Sequence, residues 1–154
     1  MQAGDLIFFS GKSFISRIVE IFTLSKFSHV GIVIDKNNLL EALQEGVVIT
    51  PMSEAVKRKD KIFYCPLSGS ARYFFNQDAF NKFVKGVIGK PYDYYQAGKS
   101  ALDYIRKTKE DDNKYFCSEL ACDILKHSGV IKGINESTLS PIDLYRLLKK
   151  EDII

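Results

Sequence analysis

The 154-residue sequence predicts an α+β fold in which an antiparallel sheet or small β-barrel packs against helices. Two observations predict it. Short apolar, β-branched runs bounded by turn residues fill the first 65 positions, whereas helical periodicity dominates after Gln77. Strands grouped first and helices grouped last favour α+β over an alternating parallel sheet.

Taken in order, Asp5 to Phe9 lies between Gly4 and Gly11 and reads as a strand. Ser13 to Phe22 carries Phe14, Ile15, Ile18, Val19 and Phe22 at helical spacing, with Ser13 placed as an N-cap. Ser28 to Ile34 is a β-branched strand. Asp35-Lys36-Asn37-Asn38 is a turn, and Leu39 to Leu43 returns. Gly46 to Thr50 is a further strand ended by Pro51, Pro51 to Arg58 a short helix, and Lys61 to Cys65 a strand stopped by Pro66. Residues 67–75 begin as a loop too short to divide two domains. Gln77 to Val87 is periodic and ends near Gly89. Tyr92 to about Arg106 predicts another helix, weakened by Gly98, before a charged loop at 107–114. Phe116 to His127 is helical and ends at Gly129, and Ser140-Pro141 opens a last helix through Leu148. Without repeats or linkers, residues 1–154 read as one domain.

Composition excludes several classes. Hydrophobic residues make up 45%, and 11 Phe with 8 Tyr supply core bulk without metal or disulfide staples. A net charge of +3 is too small to argue for nucleic acid, and the densest basic run, Lys57-Arg58-Lys59, is followed by Asp60. Three cysteines, Cys65, Cys117 and Cys122, do not form an even disulfide framework. No apolar run approaches the ~20 residues of a membrane span. The N-terminal residues do not resemble a signal peptide. A cytoplasmic protein is the simplest expectation, and a trimmed exported protein would read the same way.

Cys117 lies in Tyr115-Phe116-Cys117-Ser118-Glu119-Leu120, after a polar loop and at the first turn of a predicted helix. The positive end of a helix dipole favours a thiolate, and the backbone N–H groups there suit a developing oxyanion. The competing reading is a small buried hydrophobe on an amphipathic helix, which also suits Cys122 and Cys65. His29 lies in Ser28-His29-Val30-Gly31-Ile32-Val33-Ile34, where a titratable ring inside an apolar strand needs a partner. Its alternative is a core histidine satisfied by backbone. His127, near a helix C-terminus, reads as a capping cation. A thiol at a helix start, a histidine beside it and a polar group orienting that histidine make a nucleophilic triad.

Four segments, in order, carry a resemblance to a family. They are Gly4-Asp5-Leu6-Ile7-Phe8-Phe9, Phe27-Ser28-His29-Val30-Gly31-Ile32-Val33, Gly89-Lys90-Pro91-Tyr92-Asp93 and Phe116-Cys117-Ser118-Glu119-Leu120, with Ser140-Pro141-Ile142-Asp143-Leu144 closing. The sequence resembles the circularly permuted branch of the NlpC-type papain-like cysteine peptidases and amidases, the YiiX-like group. Permutation accounts for a histidine 88 residues before the cysteine. The resemblance implies a permuted papain-like fold, Cys117 as nucleophile and His29 as base. It also implies a third polar residue on the next strand. Leu40-Glu41-Ala42 matches the family there, which makes Glu41 the candidate and Gln44 and Glu45 its rivals. Strand geometry leaves this open. With Ile34 facing Leu39, His29 faces Gln44 and Glu41 points away, but a one-residue change in the loop reverses that. Tyr92 matches a family tyrosine near the nucleophile, with a core tyrosine as the equal alternative. Tyr92, Phe116 and Ser118 form the expected substrate-binding and oxyanion group.

The resemblance implies no cofactor. The spacing Cys117-x4-Cys122-x4-His127 is not a zinc pattern, and no phosphate loop is present. The expected substrate is a small peptide, an amino-acid amide or an acyl compound. The expected activity is amide hydrolysis through an acyl-enzyme. A lipid-directed acyltransferase or thioesterase, and a silent binding module, are the rival classes.

Overall fold

The structure is a computed structural model that describes residues 1–10, 27–57, 61–91, 116–133 and 139–154. The helices predicted at 13–22 and 92–106, the charged loop at 107–114 and Tyr92 fall outside the described residues. Five strands form one antiparallel sheet: β1 (Leu6–Ser10), β2 (His29–Asp35), β3 (Asn38–Leu43), β4 (Gly46–Pro51) and β5 (Lys61–Cys65). Their spatial order is β4-β3-β2-β1-β5, an open sheet rather than a closed barrel among the described residues. The helices are α1 (Met52–Lys57), α2 (Gly69–Phe74), α3 (Gln77–Val87), α4 (Cys117–His127) and α5 (Pro141–Lys150).

Strand alternation divides the core. Leu6, Phe8, Val30, Ile32, Leu40 and Ala42 face α3, α4 and α5, joining Phe80, Leu120, Ile124, Leu125, Leu144 and Leu148 in one cluster. Ile7, Phe9, Val33 and Leu39 face the other way and pack with Ala55 of α1. Both faces of the central strands are therefore covered, which explains why β1 and β2 read as continuous apolar runs rather than alternating ones.

Most helix ends follow their sequence signals. Ser68, Asn76 and Ser140 accept from the N–H groups of Ala71, Ala79 and Asp143, capping α2, α3 and α5. Residues 67–75 open as a loop, as expected, and then hold the six-residue α2 that the sequence did not announce. So short a helix has no room to show periodicity, and the Ser68 cap was its only signal.

The N-terminus is clamped by Asp5, which is 1% exposed. Its carboxylate accepts from the Gln2 N–H (2.7 Å), the Leu67 N–H (3.1 Å), the Tyr64 hydroxyl (2.5 Å) and the Arg72 guanidinium. Arg72 also donates to the Ala3 carbonyl and lies over the Phe75 ring. Gly4 precedes this clamp at φ +86°, with Phe75 where a side chain would stand. The Gly4-Asp5 pair thus ties β1 to β5 and α2. Removing the carboxylate would strand Arg72 and the Leu67 N–H, at a cost of about 2–3 kcal/mol.

Tyr64 reports on the clamp. Partial burial first, then the hydrogen bond and charge of Asp5, push its hydroxyl up to about 12 from the ordinary 10.0. A folded value above the unfolded one means stability that is whole below pH 10 and is lost as pH rises through 12. Urea titrations between pH 10 and 12 should show a shallower stability loss in Tyr64→Phe than in the parent protein. Identical slopes would contradict the clamp's role for this hydroxyl.

Candidate active site

The site is built at one end of the sheet. α3 starts beside the end of α4, where the Asn76 N–H donates to the Ser128 carbonyl at 2.8 Å. It finishes beside β4, where Gly89 N–H to Val47 O and Val47 N–H to Lys90 O are each 2.8 Å. Gly46 makes that approach possible: at φ +117° it has the Lys90 carbonyl 2.6 Å from where a Cβ would lie. The eleven-residue α3 and α4 pack together and run antiparallel. The first residue of α4, Cys117, therefore lies toward the β3–β4 turn. His29 opens β2 at that same end, opposite the close of β3, when the Ile32–Leu40 register is extended.

Cys117 is the first helical residue of α4. It is 2% exposed and belongs to the helix-side core cluster, at the helix end whose dipole suits an anion. No side chain caps this helix: the N-cap is Phe116, which has no acceptor. Glu119 reaches back instead, its Oε2 accepting from the Phe116 N–H at 3.2 Å. Ser118 is fully buried and its hydroxyl donates to the Leu139 carbonyl, tying α4 to the lead-in of α5. Phe116 N–H and the Ser118 hydroxyl are thus engaged within the protein.

His29 (3% exposed) and Glu41 (0%) form a buried pair, with His29 Nε2 3.0 Å from Glu41 Oε1. A carboxylate only accepts, so Nε2–H is the donor and Nδ1 of the neutral ring carries the lone pair. The ring also packs on Phe9, centroids 5.6 Å apart. Gln44 and Glu45 are exposed in the β3–β4 turn.

The register explains the pairing. The hairpin pairs Asp35 with Asn38, but Val33 with Leu39, so Ile34 is an extra residue, a β-bulge. Without it, Glu41 would oppose Ile32 and face the helices. With it, Glu41 opposes Gly31 and shares a face with His29. The loop length is as the sequence suggests, and the bulge makes the one-residue difference. Sequence reasoning missed this bulge, the Asp5 clamp and the backward reach of Glu119. Only the last had a signal, an acidic residue three positions after the N-cap.

A family model described as "Permuted papain-like amidase enzyme, YaeF/YiiX, C92 family" matches residues 1–146. The chain belongs to this family. It accordingly has a permuted papain-like fold, and the family is described as one of amidase enzymes. A 63-residue segment, 41% of the chain, is 38% identical to the probable lipoprotein peptidase YaeF of Escherichia coli (strain K12). The match spans 23% of that protein's length. The crystal structure of yiiX from Escherichia coli O157:H7 superposes with a TM-score of 0.59 at 21% identity, over 97% of this chain and 81% of that one. YiiX is described there as a metalloprotein. Among the described residues here, no three His, Cys, Asp or Glu side chains gather as a metal site would require. Also among them, no helix is long and apolar enough to cross a membrane.

The three thiols give a direct test of reactivity against exposure. Cys65 is 8% exposed, Cys117 2% and Cys122 0%. Exposure alone ranks Cys65 first for iodoacetamide. Activation ranks Cys117 first, with a rate that falls at least about tenfold in His29→Ala. Peptide mapping of the alkylated protein decides between them, and labelling of Cys65 ahead of Cys117, indifferent to His29, would argue against an activated thiol.

Proposed function

We propose that the protein is a cysteine hydrolase that cleaves amide bonds of small or cell-wall-type peptides, with Cys117 as nucleophile, His29 as base and Glu41 orienting the imidazole. The observation that carries this reading is the buried His29–Glu41 hydrogen bond, with Cys117 as the first residue of α4. The pair faces away from the α4 side of the sheet, so in this reading the thiol reaches the ring around the end of β2 rather than through the sheet.

His29 Nδ1 takes the Cys117 proton, and the thiolate attacks the carbonyl carbon. The carbonyl π electrons move to oxygen, and the oxyanion is held by N–H groups of the first turn of α4, that of Cys117 first. Tyr92 is proposed as an added donor. Collapse expels the amine, which takes its proton from the imidazolium, and leaves a Cys117 thioester. Water, deprotonated by Nδ1, attacks the thioester and releases the acid and the thiol. Glu41 keeps Nε2–H pointed away from the thiol and stabilises the imidazolium as it forms. Removing one partner of such a buried pair costs about 3–5 kcal/mol, so Glu41→Ala should weaken the fold as well as turnover.

A panel of dipeptide amides, cell-wall peptide fragments and acyl esters tests the substrate class. Turnover of the amides that falls to background in Cys117→Ala, with an unchanged circular dichroism spectrum, is the expected result. Turnover of acyl esters alone would favour the acyltransferase or thioesterase class. Undiminished turnover in Cys117→Ala would end the cysteine mechanism.

A further inference from the structure

Gly31 is a glycine inside a central strand that its backbone does not require. Its φ is not among the positive ones, and interior strand glycines forgo side-chain packing and lose more entropy on folding. What the position lacks room for is a side chain. A Cβ built on Gly31 lies 3.3 Å from Glu41 Cγ, 3.6 Å from Leu39 Cδ1 and 3.6 Å from the Leu40 carbonyl oxygen. The nearest obstacle is the middle of the Glu41 side chain.

We propose that Gly31 is a positioning residue: its missing side chain is the channel through which the Glu41 stem crosses β2 to reach His29. Register and distance agree on this. The extended register sets Gly31 directly opposite Glu41, and His29 is the diagonal neighbour, two residues away on the same face. Diagonal neighbours stand about 7–8 Å apart at their Cα atoms, so a glutamate must lean along the sheet to bond one. Leaning toward His29 carries its Cγ over position 31. The stem's root is fixed in β3, its carboxylate is held by His29, and it is fully buried. A methyl group at position 31 would stand 3.3 Å from Cγ, so the stem must give by a few tenths of an ångström and its carboxylate moves with it.

This deepens the proposed mechanism and rests on it for its catalytic consequence, but the pairing is measurable without turnover. The chain has two histidines, so imidazole resonances are assignable with a His127→Asn control. Wild-type protein should show a downfield, slowly exchanging His29 Nε2–H signal. In Gly31→Ala this signal should move upfield and exchange at least about tenfold faster, and Cys117 alkylation should slow about tenfold. The urea midpoint should fall in Gly31→Ala, because loosening a buried pair costs more than the strand preference of alanine returns, and the further fall on adding Gly31→Ala to Glu41→Ala should be smaller. In a Glu41→Ala background, Gly31→Ala should have no further effect on alkylation. An unmoved His29 signal in Gly31→Ala, or an equal slowing whether or not Glu41 is present, would overturn the proposal. Should Gly31→Ala not fold, the Gly31→Ala/Glu41→Ala protein decides: folding of the double variant supports the channel, and its failure where Glu41→Ala folds refutes it. A displaced His29 signal with alkylation unchanged in every variant would uphold the channel and remove the thiol–imidazole mechanism instead.

Discussion

The hydrogen bond from His29 Nε2–H to Glu41 Oε1, 3.0 Å long and shut away from solvent, sets conditions that much of the structure must meet. Two ionisable groups in an apolar setting are stable only as partners. Partnership across two strands demands one register, because a slip of a single residue turns one of them to the opposite face. Here the register is not the one a regular two-residue hairpin would impose. The extra residue Ile34 shifts it, and that shift carries Glu41 from the helix-packed face to the face of His29. A bulge that would ordinarily be read as an irregularity is thus part of how the pair is assembled.

The surrounding elements fix the pair's position. The Asp5 clamp holds the start of β1 against β5 and α2, at the far end of the sheet from His29. The Gly4 N–H bonds the Val33 carbonyl beside the bulge, so the clamp and the register share a boundary. At the near end, Gly46 lets residues 89–91 lie against β4. α3 and α4 then lie antiparallel, with the start of α4 toward the β3–β4 turn. Phe116 stands where α2, α3 and α5 have a capping side chain, and Glu119 reaches back to its N–H, so that helix start is dressed differently from theirs.

Much of this was legible in the chain. Strand positions held to within a residue, since β-branched runs ended by Pro, Gly or Asn-rich turns leave little choice. Ser140-Pro141 opened α5 as its cap-and-proline signal predicts, although the helix runs two residues past Leu148. The cysteine and histidine stood out because each was a residue type at odds with its surroundings. What the chain did not reveal is what depends on tertiary geometry. No residue marks Ile34 as a bulge, so the face of Glu41 was undecidable from alternation, and only the family resemblance favoured it. Asp5 looks like an ordinary strand-leading aspartate, since its partners other than Gln2 lie 59 to 67 residues away in sequence. Gly31 looks like any small residue in a strand until the path of Glu41 over it is known.

In the proposed mechanism the thiol of Cys117 meets the His29 nitrogen opposite the Glu41 hydrogen bond. The most direct measurement is an experimental structure of the reduced protein in which both side chains are resolved. The expected result is Cys117 Sγ within hydrogen-bonding reach of His29 Nδ1, about 3–4 Å, with Nε2 still on Glu41. An Sγ several ångströms beyond that reach of the ring would contradict it.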